Sequence, residues 1–353
     1  MKKLILFLVI TMVTITSKAT IRRVQYWGNP VAGIDYATCA AAVVVSTAGD
    51  TILVFQYSNE GFTIDRRLVI IGPGYFNWLT ADANFNPNLQ NIQPSGTLGI
   101  IFAPGSDGSI VTGCRLSINT SGNVAINYIK IRNCTNYGAG YWYVGSTGSN
   151  LTFDNWEFSK CDLGYYIIMN NGTNKFTNLK MFNCLGDGAY TGVGSLQLSS
   201  MAGHTGIIEN CSFQGGGANL VLNSNNFLVQ NCIFYAAYPS AYSNTIFNNN
   251  IFTQTPSPAV TGSGNIFNAV AANIFVGIPT LGTSSTDGKF ILKAGSPAIG
   301  AGISGVDCGA YGGVNPYKLS LIPAIPAFYK LTSAGTAATT NPYQITFSVR
   351  ANN

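Results

Sequence analysis

Charge is what this chain has least of: only 9% of its 353 residues are Asp, Glu, Lys or Arg, and His204 is its one histidine. Nucleic-acid and anionic-membrane binders concentrate basic residues on one face. Here 18 basic and 13 acidic residues are spread thinly, and no Asp-rich cluster is visible. Helical periodicity is also missing beyond the N-terminus. Short runs of Ile, Val, Leu and Phe alternate with polar residues and end in Gly, Asn or Ser-Gly. That pattern belongs to strands and turns, so the fold class is all-β. Long apolar runs are absent except for Leu4 to Ile15, which is shorter than the ~20 residues of a membrane-spanning helix.

That one run has Lys2-Lys3 before it and Ser17-Lys18-Ala19 after it. A charged start, a short apolar stretch and a small-x-small site make a secretory signal peptide, expected over residues 1–19. Its removal takes Lys2, Lys3 and Lys18, leaving a balance of +2. The expected location is secreted or cell-surface, with no membrane span left after processing. A polar but neutral surface rich in Gly, Asn, Ser and Thr suits neutral glycans better than strongly acidic polymers.

What is present in abundance is repetition. Cys134, Cys161, Cys184, Cys211 and Cys232 each follow a strand-like run, and Asn133, Asn183, Asn210 and Asn231 precede four of them, with Lys160 before the fifth. Counted from Cys114, the spacings are 20, 27, 23, 27 and 21 residues. A period of this size marks a solenoid whose coils stack in register. Beyond Cys232 the slot passes to Asn, in Asn249-Asn250-Ile251-Phe252, Gly264-Asn265-Ile266-Phe267 and Ala272-Asn273-Ile274-Phe275. The last two stand too close for a full coil, so one is a turn echo. Residues one turn apart lie ~4.8 Å apart. Cys fills a narrow interior column, Phe stacks inside, and Asn tolerates the αL corner and can bond to the Asn above and below.

Eight cysteines in an exported chain can also be a disulfide framework. Aligned neighbours on parallel rungs point the same way, which makes the ~90° bridge torsion hard to reach. Buried thiols are therefore expected from Cys114 to Cys232, and Cys39 and Cys308, at opposite ends, should not pair.

At the N-terminal end Tyr36 to Val45 reads as a short apolar capping helix, followed by strands at Thr51–Phe55, Phe62–Ile64 and Leu68–Ile71. An Ala-rich helix, then Gly49-Asp50-Thr51-Ile52, then a run ending Ile70-Ile71-Gly72, resembles the opening of pectate-lyase-like right-handed parallel β-helix proteins. Ala294-Gly295-Ser296-Pro297-Ala298 to Gly302, with Asp307-Cys308-Gly309-Ala310-Tyr311-Gly312-Gly313, resembles the closing coils of such chains in secreted bacterial proteins. The resemblance spans roughly residues 36–313 and implies the fold, a right-handed parallel β-helix solenoid over residues 20–313. Activity does not follow, since the superfamily holds lyases, hydrolases, esterases, epimerases, adhesins and non-catalytic surface proteins. Residues 314–353 read as a Pro-containing linker and a C-terminal β-hairpin tail, with strands at 327–332 and 343–349.

The catalytic signatures of those enzymes are missing. No Gln is followed by Asp, no two Asp are adjacent, and Gly203-His204-Thr205 matches two of the three positions of a Gly-His-Gly motif. The remaining candidates for acid/base work are Asp154, Asp162, Asp187, Lys160 and His204, with Glu209 beside them. No cofactor is expected. Ca²⁺ is the one ion those carboxylates could begin to ligate, and they supply only part of its 6–8 oxygens.

Aromatics give the stronger lead. Tyr137, Tyr141, Trp142 and Tyr143 lie in a Gly-rich insertion after Cys134; Trp156, Tyr165 and Tyr166 belong to the next coil, and Tyr190 to the loop after Cys184. Exposed rings stack on sugars, but strand alternation turns at least one ring of 141–143 inward. The expectation is a non-catalytic carbohydrate-binding or adhesive protein whose partner is an extracellular polysaccharide or cell-surface glycan. The alternatives are a β-helix polysaccharide lyase or glycoside hydrolase, and a self-assembling structural surface protein.

Overall fold

The computed structural model describes residues 19–350, apart from 26–30, 56–58, 75–95, 188–195, 199–202, 279–286, 320–326 and 334–344 and short gaps at 137, 146, 165–166, 170–171, 216–217 and 258. Of the signal peptide expected over residues 1–19, all but Ala19 lies outside the described residues.

The chain forms an all-β parallel solenoid. Its long sheet has eleven parallel strands, stacked from Asp35–Tyr36, Ile21–Val24, Thr51–Val54, Val69–Ile71 and Ile110–Thr112 through Lys130–Arg132, Glu157–Ser159, Leu179–Phe182, Gly206–Glu209 and Phe227–Gln230 to Ile246–Asn248. An eight-stranded and a five-stranded parallel sheet form further walls. Pairing is in register at the places the repeat marks: Phe158 faces Ile131 and Met181, and Ile208 faces Val229. The inward column Val111, Ile131, Phe158, Met181, Ile208, Val229 and Phe247 is fully buried.

The corner after each long-sheet strand explains the repeat. Gly113, Asn133, Lys160, Asn183, Asn210, Asn231 and Asn249 all take positive φ, between 46° and 71°. Only Gly is free of cost there, and Asn is the best-tolerated alternative. At the next residue the chain turns inward, and all eight cysteines are buried free thiols. Each thiol of the column does a backbone's work. Cys184 N–H donates to Cys211 Sγ and Cys211 N–H to Cys232 Sγ, both at 3.4 Å, while Cys232 Sγ faces Gln230 O at 3.2 Å and Ile208 O at 3.7 Å. Burial raises the thiols of Cys114, Cys161 and Cys211 and pushes Cys134 up to about 12, whereas hydrogen bonds from Cys161 and Cys211 draw Cys184 well below its ordinary value against burial. Asn250 takes over the same two duties, accepting from Cys232 N–H at 2.9 Å and donating to Val229 O at 2.9 Å. Asn265 continues the column, accepting from Asn250 N–H at 3.0 Å. Asn273 is the turn echo, in a 3-10 helix at Ala271–Asn273.

Phenylalanines stack inside the five-stranded sheet, Phe213 on Phe234 at 5.2 Å and Phe234 on Phe252 at 4.7 Å. Burial of each such ring stabilises the fold by roughly 1.5–3 kcal/mol.

The N-terminal helix is shorter than its sequence suggests. It spans Cys39–Val44, with Thr38 Oγ1 accepting from Ala41 N–H. Asp35–Tyr36 is a strand instead, pairing with Ile21–Val24, because Arg23 holds the Asp35 carboxylate at 2.6 and 2.9 Å. Near the C-terminus, Ala327–Ser333 pairs antiparallel with Ile345–Arg350.

After the last coil the chain doubles back over the outer face of the five-stranded sheet. Ile274, Phe275, Phe290, Ala298, Cys308 and Tyr317 close a second core on Leu185, Ile233 and Ile251. The segment from 298 to 317, here called the strap, then runs back along the corner column. Asn249 Nδ2 donates to Ala301 O, Asn231 Oδ1 accepts from Ile303 N–H, Asn210 Nδ2 donates to Asp307 O and Asn183 Nδ2 to Ala310 and Gly312 O, all between 2.9 and 3.0 Å. These carboxamides therefore read the strap's backbone rather than each other. Their αL backbone aims them outward, and only Asn231 to Asn210, at 3.5 Å, preserves an amide-to-amide contact.

This arrangement separates two costs at one position. Asn210→Gly keeps the corner geometry but strips a strap carbonyl of its donor, and is expected to lower unfolding free energy by about 1–3 kcal/mol. Asn210→Ala should cost roughly 1 kcal/mol more, for the αL backbone. Urea unfolding of the two variants checks this, and equal losses would contradict the αL argument.

Candidate functional site

A groove runs between the outer face of the long sheet and the strap, with a volume of about 620 Å³. Its sheet wall is the rung just before the corner: Arg132, Ser159, Phe182, Glu209 and Gln230 on five successive coils, with Glu157 beside them. Four coil spacings make that wall ~19 Å long. Its floor is the corner column, from Asn133 and Lys160 to Asn231, and its other wall is the strap at Ile303, Val306, Val314 and Asn315.

The charges in the groove are mostly engaged. Arg132 holds Glu157 through two bonds of 2.8 and 3.0 Å, and Ser159 Oγ adds a third at 3.0 Å. Burial alone would raise the Glu157 pKa, but the Arg132 bonds and charge outweigh it and the carboxyl sits below its ordinary value. Gln230 Nε2 donates to Glu209 Oε1 at 3.0 Å. Lys160 reaches across the groove to Asn315 Oδ1. Burial, then the charges of Lys318 and Arg132, depress its pKa. Asn133 Oδ1 is buried and accepts no hydrogen bond, which leaves one acceptor at this end of the floor.

The sequence candidates are not gathered in one place. Asp154 is at the opposite corner of the coil, where Thr177 Oγ1 and Asn178 Nδ2 donate to it at 2.7 and 2.8 Å. Those bonds, Thr177's first, hold its pKa down against burial, and it braces the second αL column, Asn155 and Asn178. His204 is fully buried, and its Nδ1 accepts from Phe176 N–H at 3.0 Å. It is a core imidazole standing in for a ladder carbonyl. Asp162 and Asp187 are buried beneath the segment that doubles back, beside Asp287 and Lys289. Lys289 Nζ bonds Asp187 Oδ2 at 2.6 Å. Burial, then the Asp287 and Asp187 charges, push Asp162 well above the carboxylate range, while Lys289 pulls the other way. Of the acid/base candidates only Lys160 and Glu209 reach the groove.

The aromatic set divides as strand alternation requires. Trp142 and Trp156 are fully buried core rings, and their indole N–H groups donate to Leu116 O and Ile126 O at 2.9 and 2.7 Å. As sugar platforms they are corrected: the pleat turns both inward. Tyr141 and Tyr143 are half-buried on the outer face of the eight-stranded sheet, with ring centres 5.6 Å apart. Tyr137, Tyr165, Tyr166 and Tyr190 lie outside the described residues.

Arg132, Glu157, Ser159 and Gln230 escaped the sequence reading, although the signal was present. Once Asn-Cys marks the corner, the residue one before it on every coil must face outward on the same wall.

No group of three or more His, Cys, Asp and Glu among the described residues could hold a metal ion, and none of their helices is long and apolar enough to cross a membrane. Comparisons of the chain with family models, curated proteins and solved structures found no match.

The Asp187–Lys289 pair gives a direct test of the buried charges. Lys289→Met leaves a carboxylate uncompensated and is expected to destabilise by about 3–5 kcal/mol in urea unfolding at neutral pH. Adding Asp187→Leu should recover most of that loss, and a double variant as unstable as the single would refute the pairing.

Proposed function

We propose that this is an exported, non-catalytic β-helix protein that binds an extended polysaccharide or cell-surface glycan in the groove beneath the strap. The groove itself carries this reading: it is long, open to an extended chain, repeats its polar groups at one strand spacing, and presents hydroxyl, amide and already paired charged groups. Such a lining exchanges hydrogen bonds with sugar hydroxyls and needs no counter-ion on the ligand. The half-buried pair Tyr141 and Tyr143 offers an accessory stacking surface on another wall.

The solenoid is a right-handed coil of the pectate-lyase-like type, as crossover connections between parallel strands nearly always are. The Cys39–Val44 helix caps its first coils, and the C-terminal hairpin protects an edge. The leader over residues 1–19 directs export.

A glycosidase acid must hold its proton near neutral pH. Glu157 is drawn the other way by Arg132 against burial, which argues against Glu157 as such an acid. One observation favours a lyase as the second reading: Lys160, with its lowered pKa, lies in the groove.

Titration calorimetry with a panel of neutral and acidic oligosaccharides tests the proposal. Gln230→Ala and Arg132→Ala should each weaken binding about tenfold, or ~1.4 kcal/mol. A parallel assay for unsaturated sugar release should stay flat. Binding that survives both variants but is lost in Tyr141→Ala/Tyr143→Ala would move the site to the tyrosine face. Sugar release abolished by Lys160→Gln would establish the lyase.

A further inference from the structure

The strap forms one wall of the groove, and what seats it is a closed cluster of charge. Where the returning segment meets the sheet, Asp162, Asp187 and Asp287 are 3%, 5% and 3% exposed, and among the described residues the cation beside them is Lys289, 8% exposed. Lys289 is bonded to Asp187. Asp287 receives Gly288 N–H at 2.9 Å and Tyr317 O–H at 3.4 Å. Tyr311 O–H donates to Asp287 O at 3.0 Å, and its ring meets that of Tyr317 at 5.3 Å. Both tyrosines belong to the strap, so the cluster is closed only while the strap is seated.

Among the described residues, three carboxylates share one ammonium in a closed core. If all three were ionised, the cluster would hold two surplus negative charges away from water, at a cost that a protein avoids by keeping a proton. Asp162 is the group for which that proton is favoured. Asp162 lies opposite Leu185, two residues before Asp187 on the next coil, and the neighbouring Lys160 is bonded to Asn315 of the strap. The charges of Asp287, Asp187 and Lys289 act on it, and its own acts on Tyr311 and Tyr317 of the strap. Neither tyrosine offers it a positive charge, and burial and the Asp charges make both phenols harder to ionise.

We infer that the strap is a proton-operated clasp on the groove: Asp162 holds a proton while the strap is seated and releases it to water when the strap lifts. The sign follows from linkage. In the open state Asp162 is solvated and titrates near an ordinary carboxylate, ~3.9. With the strap seated it titrates higher. Seating is therefore strongest below the open-state value and weakens as pH rises toward the seated-state value. Within that window each pH unit favours opening about tenfold, and above it the effect levels off, since both states are then ionised. The four Asn carboxamides that hold the strap backbone do not titrate, so they set a pH-independent floor to its attachment. Alkaline surroundings would thus loosen one wall of the groove and acidic ones fasten it. The consequence for ligand binding rests on the groove being the glycan site, while the clasp does not.

Hydrogen exchange of the full ligand-free chain, read by mass spectrometry from about pH 5 to about pH 9 and corrected for intrinsic exchange, tests the clasp alone. Peptides covering 298–315 should lose protection about tenfold per pH unit over part of that range and then level off, while peptides covering 206–209 in the long sheet stay constant. Asp162→Asn, which is neutral at every pH, should hold the strap peptides flat and protected. Asp162→Ala serves the same purpose should the Asn variant not fold. A flat wild-type profile, or the same pH-dependent loss in a variant without the carboxyl, would overturn the clasp. Oligosaccharide binding plays no part in this readout, so a glycan panel without a binder would leave the result standing.

Discussion

Every coil of this solenoid must leave the long sheet and turn, and at that turn the backbone ladder between coils is interrupted. Buried N–H and C=O groups cannot be left without partners, since each orphan costs about 1–3 kcal/mol. The chain meets this constraint with two adjacent residues. The first takes the αL conformation and makes the bend. The second, Cys or Asn, points inward and accepts an N–H from the preceding coil while its own S–H or N–H faces a carbonyl. Core, register and groove all follow from this pair, because it fixes where the long-sheet strand ends on the coils from Ile110–Thr112 to Ile246–Asn248.

The same constraint accounts for the cysteine content. A thiol is small enough for a narrow column and can both donate and accept weakly. The column needs no oxidation to be stable. Where the solenoid nears its end, Asn250 and Asn265 take the slot, and stronger amide bonds replace those of sulfur. The outward member of the pair has a second use. Four carboxamides hold a returning strap by its backbone, and the space left between strap and sheet is the groove. A structural repeat has become the floor of a groove.

The buried charges follow a different logic. In a chain with so few ionisable residues, three carboxylates and a lysine enclosed in one small core are costly, and the second core built by Ile274, Phe275 and Phe290 must offset that cost. Their position, under the segment that walls the groove, ties the attachment of that wall to proton activity. Lys160 shows the same economy in reverse: it occupies a corner slot that suits Asn, and its long side chain crosses the groove to Asn315.

The repeat, the all-β class, the parallel in-register stacking, the αL corners and the free thiols could be read from residue order, because each depends on one coil and its neighbours. Trp142 could be suspected of facing inward from alternation alone. The partners of Asp162, Asp187 and His204 could not be read that way. Lys289 lies 102 residues from Asp187 and Ala310 lies 127 from Asn183, and no local pattern encodes where a returning segment will dock. Sequence periodicity determined the column of Asn side chains. Tertiary structure alone decided that a strap, rather than the neighbouring Asn, would satisfy them, because outward-aimed amides bond to whatever backbone the rest of the fold brings within reach.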